Sequence, residues 1–227
     1  MKKILALIAV STLVFMLTAC GGPKYALKSS RTKGAMGKTV NLPYAKTVKY
    51  FGYVSPSMKA DGKYKGKDAY YLYLWVPAAV DEIGVSMYSP ADVKPGGSDF
   101  KSKTYDDMIG AKPDAFFDTY LALDRLLVLD AAKIKDGASA KVFPLATNDD
   151  TGEIHANPAG RKYNSLIRVQ TDTGNISKAL VRSVYRITFT SFRGNVEGSF
   201  LVQVGCNVPG VKIAPSLEEL DALVNAE

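Results

Sequence analysis

The chain is short of the residues that usually carry chemistry. Its 227 residues include only two cysteines, Cys20 and Cys206, and one histidine, His155. His155 has no cysteine, serine or acid at a telling spacing and lies in a polar stretch, so neither a zinc site nor a histidine-based triad is expected. With Cys20 claimed by the leader, Cys206 has no partner in the chain, and the fold must be held by packing rather than by disulfides. Cys206 follows an apolar run and reads as a buried, inert thiol. Beyond the leader no segment is apolar for long enough to cross a membrane.

What is present begins with that leader. Lys2 and Lys3 precede an apolar run, Ile4 to Met16, too short to span a bilayer comfortably. Leu17-Thr18-Ala19-Cys20 follows, then Gly21-Gly22. Small residues ahead of a cysteine at the cleavage point form a bacterial lipobox. Residues 1–19 therefore read as a signal peptide, and Cys20 as the lipidated first residue of the mature chain. Several buried acyl chains hold a protein stably to a bilayer, each methylene contributing about 0.8 kcal/mol. Gly21 carries no acidic retention signal, which points to the outer membrane. The net charge is +7 over the full chain. Lys24, Lys28, Arg31, Lys33 and Lys38 read most plainly as a solvated linker; the other reading is a basic collar drawn to anionic headgroups. Residues 20–41 are expected to be a tether with a short edge strand near Tyr25 to Ser29.

From residue 42 onward period-two patterns dominate. Lys46 to Val54, Ile83 to Tyr88, Ser165 to Gln170 and Leu180 to Thr190 alternate. Ala69 to Val76 is apolar on both faces and predicts a central strand covered on both sides. Leu180 to Thr190 and Gly198 to Gly205 are expected to pair as a hairpin. Phe116 to Asp130 reads as a strand to about Leu127, then a short helix through Lys135. Ser216 and Glu219 make a capping box for a C-terminal helix, with Leu217, Leu220 and Val224 near one face. Many short strands and few helices predict a mainly β fold, a jelly-roll sandwich of antiparallel strands with short peripheral helices, over residues 42–227.

Several motifs carry little. Gly34-Ala35-Met36-Gly37-Lys38-Thr39 imitates the end of a P-loop, but Thr32 stands where the first glycine belongs. Lys59, Lys63, Lys65 and Lys67 read as a solvated basic loop, and no nucleic-acid partner is expected. Asn148-Asp149-Asp150-Thr151-Gly152-Glu153 crowds carboxylates that repel unless a cation or solvent relieves them. Calcium takes hard oxygen ligands of this kind, yet the run is not an EF-hand, and a solvated acidic loop is the plainer reading. A hydrolase using Asp149, Asp150 or Glu153 would lack a nucleophile, a histidine base and an oxyanion loop, so no enzyme is expected.

The strand sequences themselves carry a resemblance. Leu27-Lys28-Ser29-Ser30, Leu42-Pro43-Tyr44, Ala69-Tyr70-Tyr71-Leu72-Tyr73 with Trp75, Phe117-Asp118-Thr119, Lys162-Tyr163-Asn164-Ser165-Leu166, Leu180-Val181-Arg182 and Gly198-Ser199-Phe200 occur in order over nearly the whole mature chain. On these the chain resembles the LipL thirty-two family, the major outer-membrane surface lipoprotein of Leptospira and its marine-bacterial homologues. The resemblance implies a jelly roll with added short helices. It also implies a calcium site, carried here onto Asp118, Thr119, Asp149, Asp150 and Tyr163, the tyrosine serving through its carbonyl. Ala146-Thr147-Asn148 replaces a longer aspartate run, which weakens the expected affinity. The function it implies is that of a calcium-binding, adhesin-like surface lipoprotein contacting extracellular-matrix proteins or other surface ligands. A structural or glycan-binding envelope lipoprotein is the alternative, and a homodimer stays open.

Overall fold

A computed structural model describes residues 25–35 and 37–226. The leader and Cys20 lie outside this range. Two antiparallel sheets face one another. The first has the order β10-β6-β12-β3-β7, formed by Ser165–Gln170 (β10), Glu82–Tyr88 (β6), Gly198–Cys206 (β12), Lys46–Val54 (β3) and Phe100–Lys101 (β7), with only the β3–β7 pair parallel. The second has the order β13-β5-β11-β8-β9, formed by Lys212–Ala214 (β13), Lys67–Val76 (β5), Ser183–Ser191 (β11), Thr119–Leu126 (β8) and Val142–Asn148 (β9), with Gly62–Tyr64 (β4) added to β5. Between the sheets lies one apolar core, contributed by alternate residues of each strand: Ile83, Val85 and Met87 of β6, Leu121 and Leu123 of β8, Phe200, Val202 and Val204 of β12. The expected mainly β class is what is found, and its curled antiparallel sheets are compatible with a jelly roll.

One expected pairing is wrong. β11 and β12 do not form a hairpin. β11 pairs with β5 and β8, whereas β12 pairs with β3 and β6. The Phe192 to Glu197 connection carries the chain from one sheet to the other. The two strands therefore meet through their side chains, with the Phe189 and Phe200 rings 4.8 Å apart across the core. Alternation gives the faces of both strands correctly but is blind to which strand lies alongside which.

The central strand β5 is also less covered than its sequence suggests. Leu72, Leu74 and Val76 enter the core, but Tyr71 and Tyr73 are only half-buried on the outer face. There the Arg186 guanidinium lies 4.8 Å from the Tyr71 ring and pairs with Asp124 at 2.8 Å. Tyrosine suits such a face, apolar in its ring and wettable at its hydroxyl. Trp75 is covered instead by the helix Leu217–Val224 (α2), which buries Leu217 and Leu220 against it. Ser216 caps that helix by accepting from the Glu219 backbone N–H at 3.1 Å. The Glu219 side chain turns outward to Lys103 at 3.3 Å. Between β8 and β9 a 3-10 helix, Ala131–Ser139, takes the place of the short helix expected to end at Lys135, and a helix of Tyr105–Ala111 (α1) packs Tyr105 on Phe51.

Part of the expected tether is folded. Lys28–Ala35 (β1) and Lys38–Pro43 (β2) pair as an antiparallel ribbon. Its fastening is Glu82, which is buried and accepts from the backbone N–H of Ser30 at 3.0 Å, from the Ser30 hydroxyl and from the Tyr44 hydroxyl. Burial alone would raise the Glu82 carboxyl, but the bonds from Ser30 and Tyr44 outweigh it and hold it below its ordinary value. Tyr44 reaches Glu82 because Gly84 and Gly205, paired on adjacent strands, leave a bare floor for its ring, and a Cβ at either would collide with it. Glu82→Ala strands the Ser30 and Tyr44 donors, at a cost of about 1–3 kcal/mol. Limited trypsin digestion should then cut at Arg31, Lys33 and Lys38 much faster than in the wild type, with the core strands intact.

Candidate metal centre

The acidic groups from two distant segments meet at one end of the sandwich. Asp118 immediately precedes β8, whose first residue, Thr119, pairs with Ser191 at the end of β11. The Asp118 carbonyl accepts from the Phe192 N–H at 2.9 Å, which fixes the backbone there. Asp149 and Asp150 follow β9, the neighbour of β8. One carboxylate oxygen from each of Asp118, Asp149 and Asp150 lies within 4.8 Å of the others. The sheet register, not the loop, brings them together: Leu121 sits opposite Asn148, so the start of β8 and the end of β9 emerge side by side.

The remaining two expected ligands are joined to each other. The Tyr163 carbonyl accepts from the Thr119 N–H at 3.0 Å and from its hydroxyl at 3.2 Å. The Tyr163 ring is flanked by two guanidiniums, Arg193 at 4.9 Å and Arg161 at 5.8 Å. Arg193 Nη1 donates to the Tyr163 hydroxyl at 2.8 Å, while its Nε stands 3.6 Å from Asp118 Oδ2, close enough for an ion pair and too far for a hydrogen bond.

The electrostatics are unbalanced. Both carboxylate oxygens of Asp118 and Oδ1 of Asp149 are buried without a hydrogen-bond partner. Asp118 is only 7 % exposed. Its burial, and then the neighbouring charges of Asp150 and Asp149, push its carboxyl up to about 6 against the pull of Arg193 and Lys67. Asp149 is raised as well, by burial first and Asp150 second. Buried carboxylate oxygens are normally bonded. Three unpartnered ones from two crowded acids are what a hard dication satisfies, since calcium is held by carboxylate, carbonyl and hydroxyl oxygens. The donor set fits calcium and offers no soft ligand for a thiolate-loving metal.

Several supporting residues escaped the sequence reading. Ser165 Oγ lies 2.9 Å from Thr119 Oγ1, 2.7 Å from the Thr119 carbonyl and 2.5 Å from the Asp149 carbonyl, so it stitches the acid-bearing loop to β8. Asn148 Oδ1 accepts from the Leu166 N–H at 3.0 Å. Buried Asn164 accepts from the Ser89 N–H at 3.0 Å and donates to the His155 carbonyl at 2.7 Å. The only sequence signal for these was their place in or beside the stretch from the acidic run to the start of β10, too little to assign roles. The lysine loop expected to be free in solvent is also partly tied down. Lys65 Nζ donates to the Tyr120 hydroxyl at 2.7 Å, and Lys67 Nζ to the Ser191 carbonyl at 3.1 Å.

A mainly β domain behind a lipobox leader defines an exported, lipid-anchored protein as a class. The sequence model of one family, described as "Lipl32: Surface lipoprotein of Spirochaetales order", matches residues 38–213. The chain belongs to this family of surface lipoproteins. Membership agrees with the outer-membrane, lipid-anchored localisation expected from the leader. Among curated proteins, none matches the chain.

Proposed function

We propose that the protein is a calcium-binding surface lipoprotein in which one ion ties the loop of residues 149–164 to the start of β8, and whose far end meets the ligand in an adhesin-like role. The observation that carries the metal reading is the pair of unpartnered, buried Asp118 oxygens facing Asp149 and Asp150. A dication neutralises two of the three charges and supplies the missing partners. Asp118, Asp149 and Asp150 would hold the ion through carboxylates. Thr119 and the Tyr163 carbonyl would complete the site once their mutual hydrogen bond rearranges. The ion's part is structural and electrostatic: it lets three like charges coexist where the fold has placed them.

The adhesin-like part draws on the opposite end. There Leu127 and Leu129 are 47 % and 48 % exposed and Ile176 is 85 % exposed. Arg125 holds the Ile176 loop by donating to the Ile176 carbonyl at 2.8 Å, and Arg182 donates to the Leu129 carbonyl at 2.8 Å. Apolar side chains exposed to water on an anchored backbone are suited to protein contact. Leu129→Asp with Ile176→Asp should lower retention on immobilised matrix protein by an order of magnitude or so, the loss expected when central apolar contacts are removed. Calcium-induced stabilisation should be unchanged in that variant. Retention that survives the double substitution would place the contact elsewhere, and retention on glycan surfaces alone would favour the carbohydrate-binding alternative.

A further inference from the structure

The path of the chain into the sandwich fixes which end faces the membrane. Tyr25 packs on Tyr88, with ring centroids 4.7 Å apart, and on His155 at 5.5 Å. Tyr88 closes β6 at the carboxylate end. From there the chain runs away from that end: the Lys28 carbonyl meets Arg168 midway along β10, and Ser30 meets Glu82 at the opposite end of β6. The described chain therefore begins, at Tyr25, against the carboxylate end. Only four residues lie between Cys20 and Tyr25, and the five Cα–Cα steps that join them span at most about 18 Å. A lipid on Cys20 therefore keeps this end near the bilayer. β12, nine residues long, sets the height of the sandwich at about 30 Å, so the Ile176 end stands farther out by that much.

This end carries, around the carboxylates of Asp118, Asp149 and Asp150, a rim of cations suited to an anionic surface. Lys65, Arg161, Lys162 and Arg193 are exposed there. Lys65 lies at the β4–β5 turn, Arg161 and Lys162 in the loop before β10, and Arg193 just after β11. Basic residues near such a surface are each attracted to its headgroups, within about a Debye length. By contrast, Arg31, Lys33 and Lys38 ride the β1–β2 ribbon toward the other end, so the basic collar of the other reading is largely carried away from the lipid. The lysine loop of the sequence takes its place.

We infer that the carboxylate end of the sandwich is the membrane-facing surface, and that Lys65, Arg161, Lys162 and Arg193 contact anionic phospholipid headgroups there. The orientation rests on acylation of Cys20 and on the Tyr25 contacts. It does not depend on the metal reading, although a bound ion would lower the negative charge of the same end.

The test uses the full acylated chain in vesicles of phosphatidylcholine with a minor share of phosphatidylglycerol and a headgroup-nitroxide lipid. One variant carries a fluorophore at Lys162→Cys, another at Ile176→Cys. Cys206 is buried and its thiol raised by that burial, so it does not compete for label. Quenching should be several-fold stronger at position 162 than at 176, with calcium or with chelator. Replacing Arg161 and Lys65 by Glu should weaken quenching at 162, most of all where phosphatidylglycerol is present. Equal quenching at the two positions, or stronger quenching at 176, overturns the orientation. An unchanged signal in the charge-reversed variant overturns the headgroup contact. A failed metal reading would show instead as a melting temperature indifferent to calcium, with the quenching order intact.

Discussion

Calcium at a hundredfold excess over its Kd should raise the Tm of the metal-free protein by roughly 5–10 °C. An ion that binds only the folded state stabilises it by about 2.7 kcal/mol at that excess. A chain of this size gains about 2–4 °C per kcal/mol. Asp149→Ala with Asp150→Ala should abolish the response. Asp118→Asn is more discriminating, because its two effects have opposite signs. It keeps the side chain's size and removes a charge that burial and two neighbouring carboxylates oppose. The metal-free variant should therefore melt above the metal-free wild type, while calcium adds nothing to it. Differential scanning calorimetry with calcium and with chelator measures both. A role for Asp118 confined to its pairing with Arg193 predicts the contrary, a lower Tm in the metal-free variant.

Acid should abolish the calcium dependence. The carboxyl of Asp118 is held up to about 6 in the fold, against about 3.9 in an unfolded chain. The native metal-free state thus binds a proton more readily than the unfolded one between these values. Its contribution to stability is fully present below about 3.9 and is lost as pH rises through 6. Calcium requires the deprotonated form, so its apparent affinity should be flat above 6 and fall about tenfold per pH unit below it. Between pH 7 and pH 4 the calcium-induced rise in Tm should disappear, while the metal-free protein gains from this group. Calorimetric titrations across that range give the slope. A slope of zero between 6 and 4.5 would mean that Asp118 is not a ligand.

How much of this was written in the chain differs from feature to feature. Strand positions followed from alternation: Ser165–Gln170 begins and ends where the pattern does, and β8 stops within a residue of the expected Leu127. The outer faces were harder. Thr188 and Thr190, polar residues on the face opposite Tyr185 and Ile187, are buried, and the Thr190 hydroxyl donates to the Asp68 carbonyl. Strand partners were not legible at all, because nothing local distinguishes a hairpin from a crossover between sheets when both sides of the Gly194-Asn195 turn alternate. That is how β11 and β12 were misread as partners. The ribbon of β1 and β2 was missed for a related reason. Its residues are polar and exposed along most of their length, and what holds it lies far off in sequence: the buried carboxylate of Glu82, joined by Arg168, Gln170 and Asp81.

The candidate site divides in the same way. Its crowded pair, Asp149 and Asp150, was visible as a local charge conflict. Its third acid was not. Asp118 stands in an apolar stretch with nothing to mark it, and only the family resemblance singled it out before the register of β8 against β9 put it beside the pair. Ser165, which links the Thr119 and Asp149 carbonyls, is a lone serine in sequence and a junction in space.

The central claim is that Asp118, Asp149 and Asp150 share one calcium ion. Diffraction from crystals grown with calcium, with anomalous data, tests it most directly. The account predicts one anomalous peak among the three carboxylates, with oxygens about 2.3–2.6 Å away. A map with no peak there, and with Arg193 closing directly onto Asp118 instead, would contradict it.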